Sequence, residues 1–269
     1  MIDLGLDGKR AVVSGAGYIP TRAGHGRASS LRLAAAGATV ACIDIDEGRA
    51  RGIVAEIEAA GGLAVPIIAD MTDRKQVSRA LGEAVDLIGG IDVCVDIIGK
   101  ASWDKVEDVT EDDWDQTLHT NLTQVFYLFQ EAGRQMIRQG TGGAMVAIAS
   151  VDGTAGSAYH AAYGAAKAGI ISLAKTFADE LGRFGVRVNA VAPGNVGTGN
   201  EDQPEGQWAV DNINPLAAPR ARDIGNAVLF LCSDLSARIT GQTLIVDGGV
   251  TARSMWGMKP DQVPQYRKY

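Results

Sequence analysis

In "AAYGAAKAG", residues 161–169, Tyr163 precedes Lys167 by four positions within a segment of helical period. Four residues make about one turn of an α-helix, so both side chains leave one face and can reach one ligand. A tyrosine hydroxyl titrates near 10 and is a poor base at neutral pH. An ammonium beside it favours the tyrosinate, and lowering the pKa to about 7 takes roughly 4 kcal/mol of such stabilisation. The pair reads as general acid–base chemistry at a hydroxyl or carbonyl oxygen. Standing alone, it would read as a surface pair on a helix.

A second group lies near the N-terminus. The first apolar run, "RAVVS", leads into Gly15, and Gly24 and Gly26 open the next helical segment. Glycines there permit a tight turn and let backbone N–H groups approach a pyrophosphate at a helix N-terminus. With 34 glycines in 269 residues, about four Gly-x-Gly pairs arise by chance, so the context carries the signal. A second apolar run ends "CIDID", placing Asp44 18 residues beyond Gly26. A carboxylate there accepts both ribose hydroxyls of NAD and repels the 2′-phosphate of NADP. Its plainer role is a helix N-cap or a solvated strand end. His25, between the two glycines, is expected to contribute its backbone N–H rather than its imidazole.

These residues need elements to position them. Short apolar, β-branched runs occur at 10–14, 39–44, 64–68, 92–98, 144–149, 186–192 and 243–246. Helical segments begin near residues 24, 47, 73, 111, 158 and 222. In the second of these, Ile53, Ile57 and Ala60 share one face, while Arg49, Arg51, Glu56 and Glu58 mostly point elsewhere. Apolar strands alternating with helices mean a parallel sheet covered on both faces. The expected fold is α/β: a doubly wound, Rossmann-type, seven-stranded parallel sheet in a single domain, residues 1–250. A C-terminal tail, 251–269, carries Met255, Trp256, Met258, Tyr266 and Tyr269 without a clear period.

Composition excludes several classes. A net charge of −7 argues against a nucleic-acid partner. No apolar run approaches the roughly 18 residues of a membrane span, and no basic region precedes an apolar stretch as in a secretory signal. Cys42, Cys94 and Cys232 sit in apolar runs, are odd in number and read as buried free thiols. Neither they nor the three histidines have metal-ligand spacing, so no metal is expected. A reducing, cytoplasmic compartment fits this usage.

With Tyr163 and Lys167 in place, the chain resembles the short-chain dehydrogenase/reductase family over about residues 5–250. Ser150, in "VAIASVDG", stands at the family serine's position, thirteen residues before Tyr163, and Asn121 in "HTNLTQVF" matches its helix asparagine. "NAVAPGNVGT" repeats the family's turn with Pro193, Gly194, Val196 and Thr198, and "ITGQTLIVDGG" matches its last strand. The resemblance implies an NAD-dependent oxidoreductase that interconverts a secondary alcohol and a ketone by hydride transfer, with NADP the less favoured cofactor. Tyr163 would move the substrate's proton, helped toward tyrosinate by Lys167 and the positive nicotinamide. Ser150 would hold the substrate oxygen, Lys167 would also bind the nicotinamide ribose, and Asn121 would support Lys167 through a water. The Val196 backbone and Thr198 would hold the carboxamide, and Asp70 and Met71 would flank the adenine. The resemblance also implies a homotetramer. Trp208 and the tail suggest a cyclic or steroid-like substrate, although the tail equally suits subunit packing. The alternatives are an NADP-linked 3-oxoacyl-thioester reductase and a non-catalytic dinucleotide-sensing protein.

Three departures from the family pattern stand out. Eight residues separate Gly15 from Gly24 where the family has three; the insertion, 18–22, either bulges away or folds Thr21 or Arg22 onto the pyrophosphate, where Arg22 would admit NADP. The family's Asn-Asn-Ala-Gly reads Asp96-Ile97-Ile98-Gly99, in which Gly99 still lets backbone pass close to the cofactor. Asp96, if buried, must find donors or be protonated. Segment 199–215, with Pro204 and Trp208, suits either a lid or a surface loop. Tyr159 and His160 either line the pocket mouth or pack at a helix start.

Overall fold

The computed structural model describes residues 2–19, 24–197 and 216–252. Seven apolar runs form strands: β1 Arg10–Ser14, β2 Thr39–Asp44, β3 Leu63–Ile68, β4 Val93–Asp96, β5 Gly143–Ile148, β6 Val186–Pro193 and β7 Thr243–Val246. They make one sheet in the order β3-β2-β1-β4-β5-β6-β7, with every neighbouring pair parallel. β3 carries Pro66, which an edge strand tolerates because it bonds a partner strand on one side only.

Successive strand residues point to opposite faces, and both faces are covered. Val12 of β1 belongs to one core, with Val77 and Leu81 of α3 (Arg74–Ile88), Leu128 and Phe129 of α5 (Gln124–Gln139), and Ile170 of α6 (Ala161–Leu181). Its neighbours Ala11 and Val13 belong to the other, with Leu33 of α1 (His25–Ala35), Ile53 and Ile57 of α2 (Glu47–Ala59), and Val228 of α7 (Ala221–Cys232). The helix α4 (Glu111–Leu118) contributes no fully buried residue; a π turn, His119–Thr123, joins it to α5. Helix starts follow side-chain caps: Asp46 caps α2, Asp73 caps α3 and Thr110 caps α4. The strand order reverses between β1 and β4, which opens a crevice beyond their carboxyl ends.

The structure moves several expected boundaries. The run 92–98 pairs only from Val93 to Asp96, and Ile97 and Ile98 leave the ladder to wall the crevice. The last helix before β6 begins at Ala161, not near 158, because Tyr159 takes a left-handed φ of 68° that no α-helix accommodates. Ala60 is the exposed C-cap of α2, and Ala50 and Val54 join Ile53 and Ile57 on its buried face. The three cysteines are free and buried. Among the described residues no helix is long and apolar enough to cross a membrane. Thr21, Arg22, Thr198, Pro204 and Trp208 lie outside the described residues, as do Met255, Trp256, Met258, Tyr266 and Tyr269 of the tail.

Candidate active site

The crevice deepens into a cavity of about 590 Å³ at the carboxyl ends of the strands. Its floor is the turn after β1, where Gly15 has φ +71° and the N–H groups of Gly15 and Ala16 donate to the Ile43 carbonyl. Gly24 ends the loop in a left-handed conformation as the N-cap of α1, with no side chain capping the helix. The first-turn N–H groups of α1 therefore keep their capacity for an anion. A Cβ on Gly26 would overlap the Gly15 carbonyl, so only glycine lets helix and turn meet this closely. Tyr18 covers this joint: its ring lies against Gly24 and beneath the Arg27 guanidinium, 5.6 Å from the ring centroid. Ile19 of the insertion lines the cavity.

His25, the first residue of α1, lines the cavity, and its buried Nε2 has no hydrogen-bond partner. Burial, followed by the charge of Lys167, lowers its pKa to about 4, so the ring is neutral.

Asp44 ends β2 in the cavity wall and is buried. Its Oδ2 accepts from Gly17 N at 3.2 Å, and its Oδ1 accepts from Asp46 N at 3.0 Å. Arg49, in the first turn of α2, donates to the same Oδ1 from Nε at 2.9 Å and Nη2 at 2.6 Å. The N-cap of α2 is Asp46, whose carboxylate accepts from Arg49 N, so Asp44 is neither a cap nor a solvated strand end. Arg49 escaped the sequence reading, which placed it mostly off the buried face of its helix. The signal was its place one turn into a helix that starts beside Asp44. Asp70 and Met71 follow β3 into the same wall.

The far end of the cavity holds Ser150, Tyr163 and Lys167. Ser150 follows β5, its Oγ accepting from Asp152 N at 3.1 Å. Lys167 is buried, and its Nζ donates to the Ile148 carbonyl at 2.8 Å and lies 5.5 Å from the Tyr163 ring centroid. Burial lowers the Lys167 pKa to about 8, opposed by Asp96. Tyr163 is half-buried. Burial raises its pKa above 10, the hydrogen bond to Ser150 lowers it, and the charge of Asp152 raises it again. In the protein without cofactor, desolvation is the largest influence on this hydroxyl.

Asn121 sits in the π turn, fully buried. Its Nδ2 donates to Thr117 O at 2.9 Å and Lys100 O at 3.0 Å, and its Oδ1 accepts from Lys100 N at 3.0 Å. It fastens the loop after β4 to the end of α4, and a π turn is a frequent device at such places. A Cβ on Gly99 would lie 3.0 Å from Lys167 Nζ and 3.2 Å from Asn121 Oδ1, so the glycine leaves these groups room. Asp96 is wholly buried; its Oδ1 accepts from Ser14 Oγ at 2.7 Å and its Oδ2 from Gln124 Nε2 at 3.1 Å. It has found donors, yet burial still raises its pKa to about 6. Pro193, Gly194 and Val196 close the cavity beyond β6. Of the two pocket-mouth candidates, Tyr159 is exposed, whereas His160 is buried at the start of α6 with Nδ1 2.7 Å from Asp152 Oδ2.

The residues present fit a dinucleotide. An uncapped helix N-terminus meets a turn in which glycine alone is admitted, a carboxylate stands at the second strand end, and the buried His25 Nε2 has a bond to give.

Comparison with known proteins agrees. A family model described as enoyl-(acyl carrier protein) reductase matches residues 20–251. The chain is 34% identical to an L-rhamnose 1-dehydrogenase (NAD(P)(+)) of a Sphingomonas species, over 91% of this chain and 97% of that one. It is 35% identical to a 3-oxoacyl-acyl-carrier-protein reductase of Thermotoga maritima, over 91% and 98%. A solved structure of a putative short-chain dehydrogenase/reductase from Burkholderia xenovorans superposes with a TM-score of 0.84 at 35% identity, covering 93% of this chain and 98% of that one. Fold, cavity and similarity along nearly the whole chain converge: the protein belongs to the short-chain dehydrogenase/reductase family, oxidoreductases acting on CH–OH groups.

Proposed function

We propose that the protein is an NAD-dependent dehydrogenase that interconverts a small secondary alcohol and its ketone. The observation that carries this reading is the meeting of Ser150, Tyr163 and Lys167 at one end of a cavity whose other end has Asp44 and the open N-terminus of α1. The nicotinamide, when bound, supplies the hydride acceptor or, in the reverse direction, the donor. The Tyr163 hydroxyl takes the proton from the substrate oxygen in oxidation and returns it in reduction. Ser150 Oγ, held by Asp152 N, orients that oxygen. Lys167, kept cationic in part by Asp96, binds the nicotinamide ribose and adds positive charge beneath Tyr163. Asn121 fixes the loop that bounds this end.

At the other end, the backbones of Gly15, Gly24, His25 and Gly26 hold the pyrophosphate, Asp44 the adenosine ribose, and Asp70 and Met71 the adenine. Gly99, Pro193 and Val196 border the nicotinamide. The relatives act on a sugar and on an acyl thioester by their names, so a polar cyclic alcohol suits this chain as well as the apolar ring its aromatic tail suggested. We place the protein in the cytoplasm as a homotetramer, in keeping with its thiols and its family.

A second reading, an NADP-linked 3-oxoacyl-thioester reductase, gains from Arg49. Its guanidinium lies on Asp44, where it can pair with a 2′-phosphate. Calorimetric titration with NADH and NADPH separates the two. NADH binding at least about tenfold tighter, about 1.4 kcal/mol, supports the dehydrogenase; tighter NADPH binding supports the reductase. Tyr163→Phe should lower kcat/KM by about 10²–10⁴-fold while NADH binding stays within about twofold. Unchanged turnover in that variant would take Tyr163 out of the proton transfer, whereas binding of the cofactor with no turnover in the parent protein would support the binding-only reading.

A further inference from the structure

Beside Tyr163 the structure holds a histidine–carboxylate hydrogen bond that the reaction as described does not use. Asp152 is two residues beyond Ser150, and His160 is three before Tyr163. His160 Nδ1 lies 2.7 Å from Asp152 Oδ2, and its ring meets the Tyr163 ring edge-on at 5.4 Å between centroids. Trp103, from the loop after β4, closes the other side at 4.1 Å. His160 is 7% exposed, and its Nε2 is buried without a partner. An Nε2–H would have no acceptor there, so Nδ1 carries the proton and donates it to Asp152.

The backbone is arranged for this contact. Tyr159 adopts φ 68°, a conformation that costs a side-chain-bearing residue free energy, immediately before His160. Asp104 N donates to Tyr159 O at 3.0 Å and pins the β4 loop to the same spot. Three contacts link the pair to the acid–base residues: Asp152 N donates to Ser150 Oγ, His160 Nδ1 bonds Asp152 Oδ2, and the His160 ring meets that of Tyr163 on α6.

We propose that Asp152 and His160 are a positioning pair for Tyr163, in which Asp152 aligns Ser150 and its charge opposes the tyrosinate, while the His160 hydrogen bond holds and offsets that charge. The proposal rests on Tyr163 being the acid–base group. Among the described residues, the charged groups at this spot are Lys167 of α6, Asp152 of the turn after β5, and Asp104 of the loop after β4. The signs follow from Coulomb's law. Without its carboxylate, Asp152→Asn makes the tyrosinate easier to form. Without its donor, His160→Ala leaves Asp152 uncompensated and makes it harder. His160→Asn keeps an N–H near the Nδ1 position and should resemble the parent protein.

The test reads tyrosinate formation directly. Ultraviolet difference absorbance is followed against pH in the protein without cofactor, with Tyr163→Phe as the blank, and the pH profile of kcat/KM for alcohol oxidation is measured alongside. The expected result is a midpoint lowered by about half a unit or more in Asp152→Asn and raised similarly in His160→Ala. His160→Asn should stay near the parent value, and the double variant Asp152→Asn with His160→Ala should follow Asp152→Asn, because the histidine acts through the carboxylate. Displacements of the same sign, or none in either folded variant, overturn the proposal. If His160→Ala fails to fold, Asp152→Asn and His160→Asn carry the same decision. A Tyr163→Phe protein with full turnover would instead remove the reading on which the pair rests.

Discussion

Asp96 shows what one atom-for-atom change does in a sealed site. The family's asparagine is here a carboxylate with two donors, Ser14 Oγ and Gln124 Nε2, while Gln124 Oε1 is buried without a partner. Burial lifts its folded-state pKa to about 6 from 3.8. Folding therefore favours protonated Asp96; that contribution is full below pH about 4 and is lost as the pH rises through about 6. Asp96→Asn removes the loss, and Gln124 can turn its amide so that Oε1 accepts from the new Nδ2. The variant should be more stable than the parent at pH about 8, by up to about 3 kcal/mol, with a narrower gap at pH about 5, as read by urea unfolding. Function moves the other way. Asp96 supports protonated Lys167, so the Lys167 pKa should fall below about 8 and the alkaline limb of kcat/KM should move to lower pH. A variant no more stable at pH about 8 than at pH about 5, relative to the parent, would refute the burial argument.

At the scale of elements, the joint between β2 and α2 decides which cofactor fits. Asp46 caps α2 and thereby fixes where its first turn begins, which returns Arg49 to the Asp44 carboxylate at the strand end. Arg49 competes with a ribose diol for Oδ1 and offers charge to a 2′-phosphate. Arg49→Gln should widen the preference for NADH over NADPH by about tenfold or more, seen by calorimetry as weaker NADPH binding together with equal or tighter NADH binding. An unchanged ratio would place Arg49 outside the reach of either ribose substituent. The start of α6 repeats the lesson: "AYHAAYGAAK" reads as one helical run, and the left-handed Tyr159 imposed by its neighbours sets the true start.

At the scale of the whole molecule, the sheet ends, among the described residues, in an unpaired edge. β7 pairs with β6 on one side, and Leu244 and Ile245 remain 36% and 41% exposed. Apolar side chains on a free edge are an association surface. In a homotetramer this edge should be covered, so Ile245→Glu should yield a smaller species in sedimentation velocity, with a cavity that still binds NADH. A variant that sediments as the parent does would place the interface elsewhere.

Strand-by-strand alternation made the seven-stranded parallel sheet legible, because hydrophobic period is a local property of the chain. The Tyr163–Lys167 spacing and the flanking glycines were legible for the same reason, whereas Ser150 and Asn121 were placed by their resemblance to the family's pattern. Their companions were not. Asp96 meets Ser14 and Gln124, and Asp152 meets His160, through turns and crossovers whose geometry no spacing records. Sequence alone showed the cation four residues on from Tyr163 but not the burial that raises the hydroxyl's pKa in the cofactor-free protein. Residue types and their order determined the chemistry available to this protein. Only packing decided which charges face each other and how little water reaches them, because the strength of a charge interaction depends on distance and dielectric, and both exist only once the chain is folded.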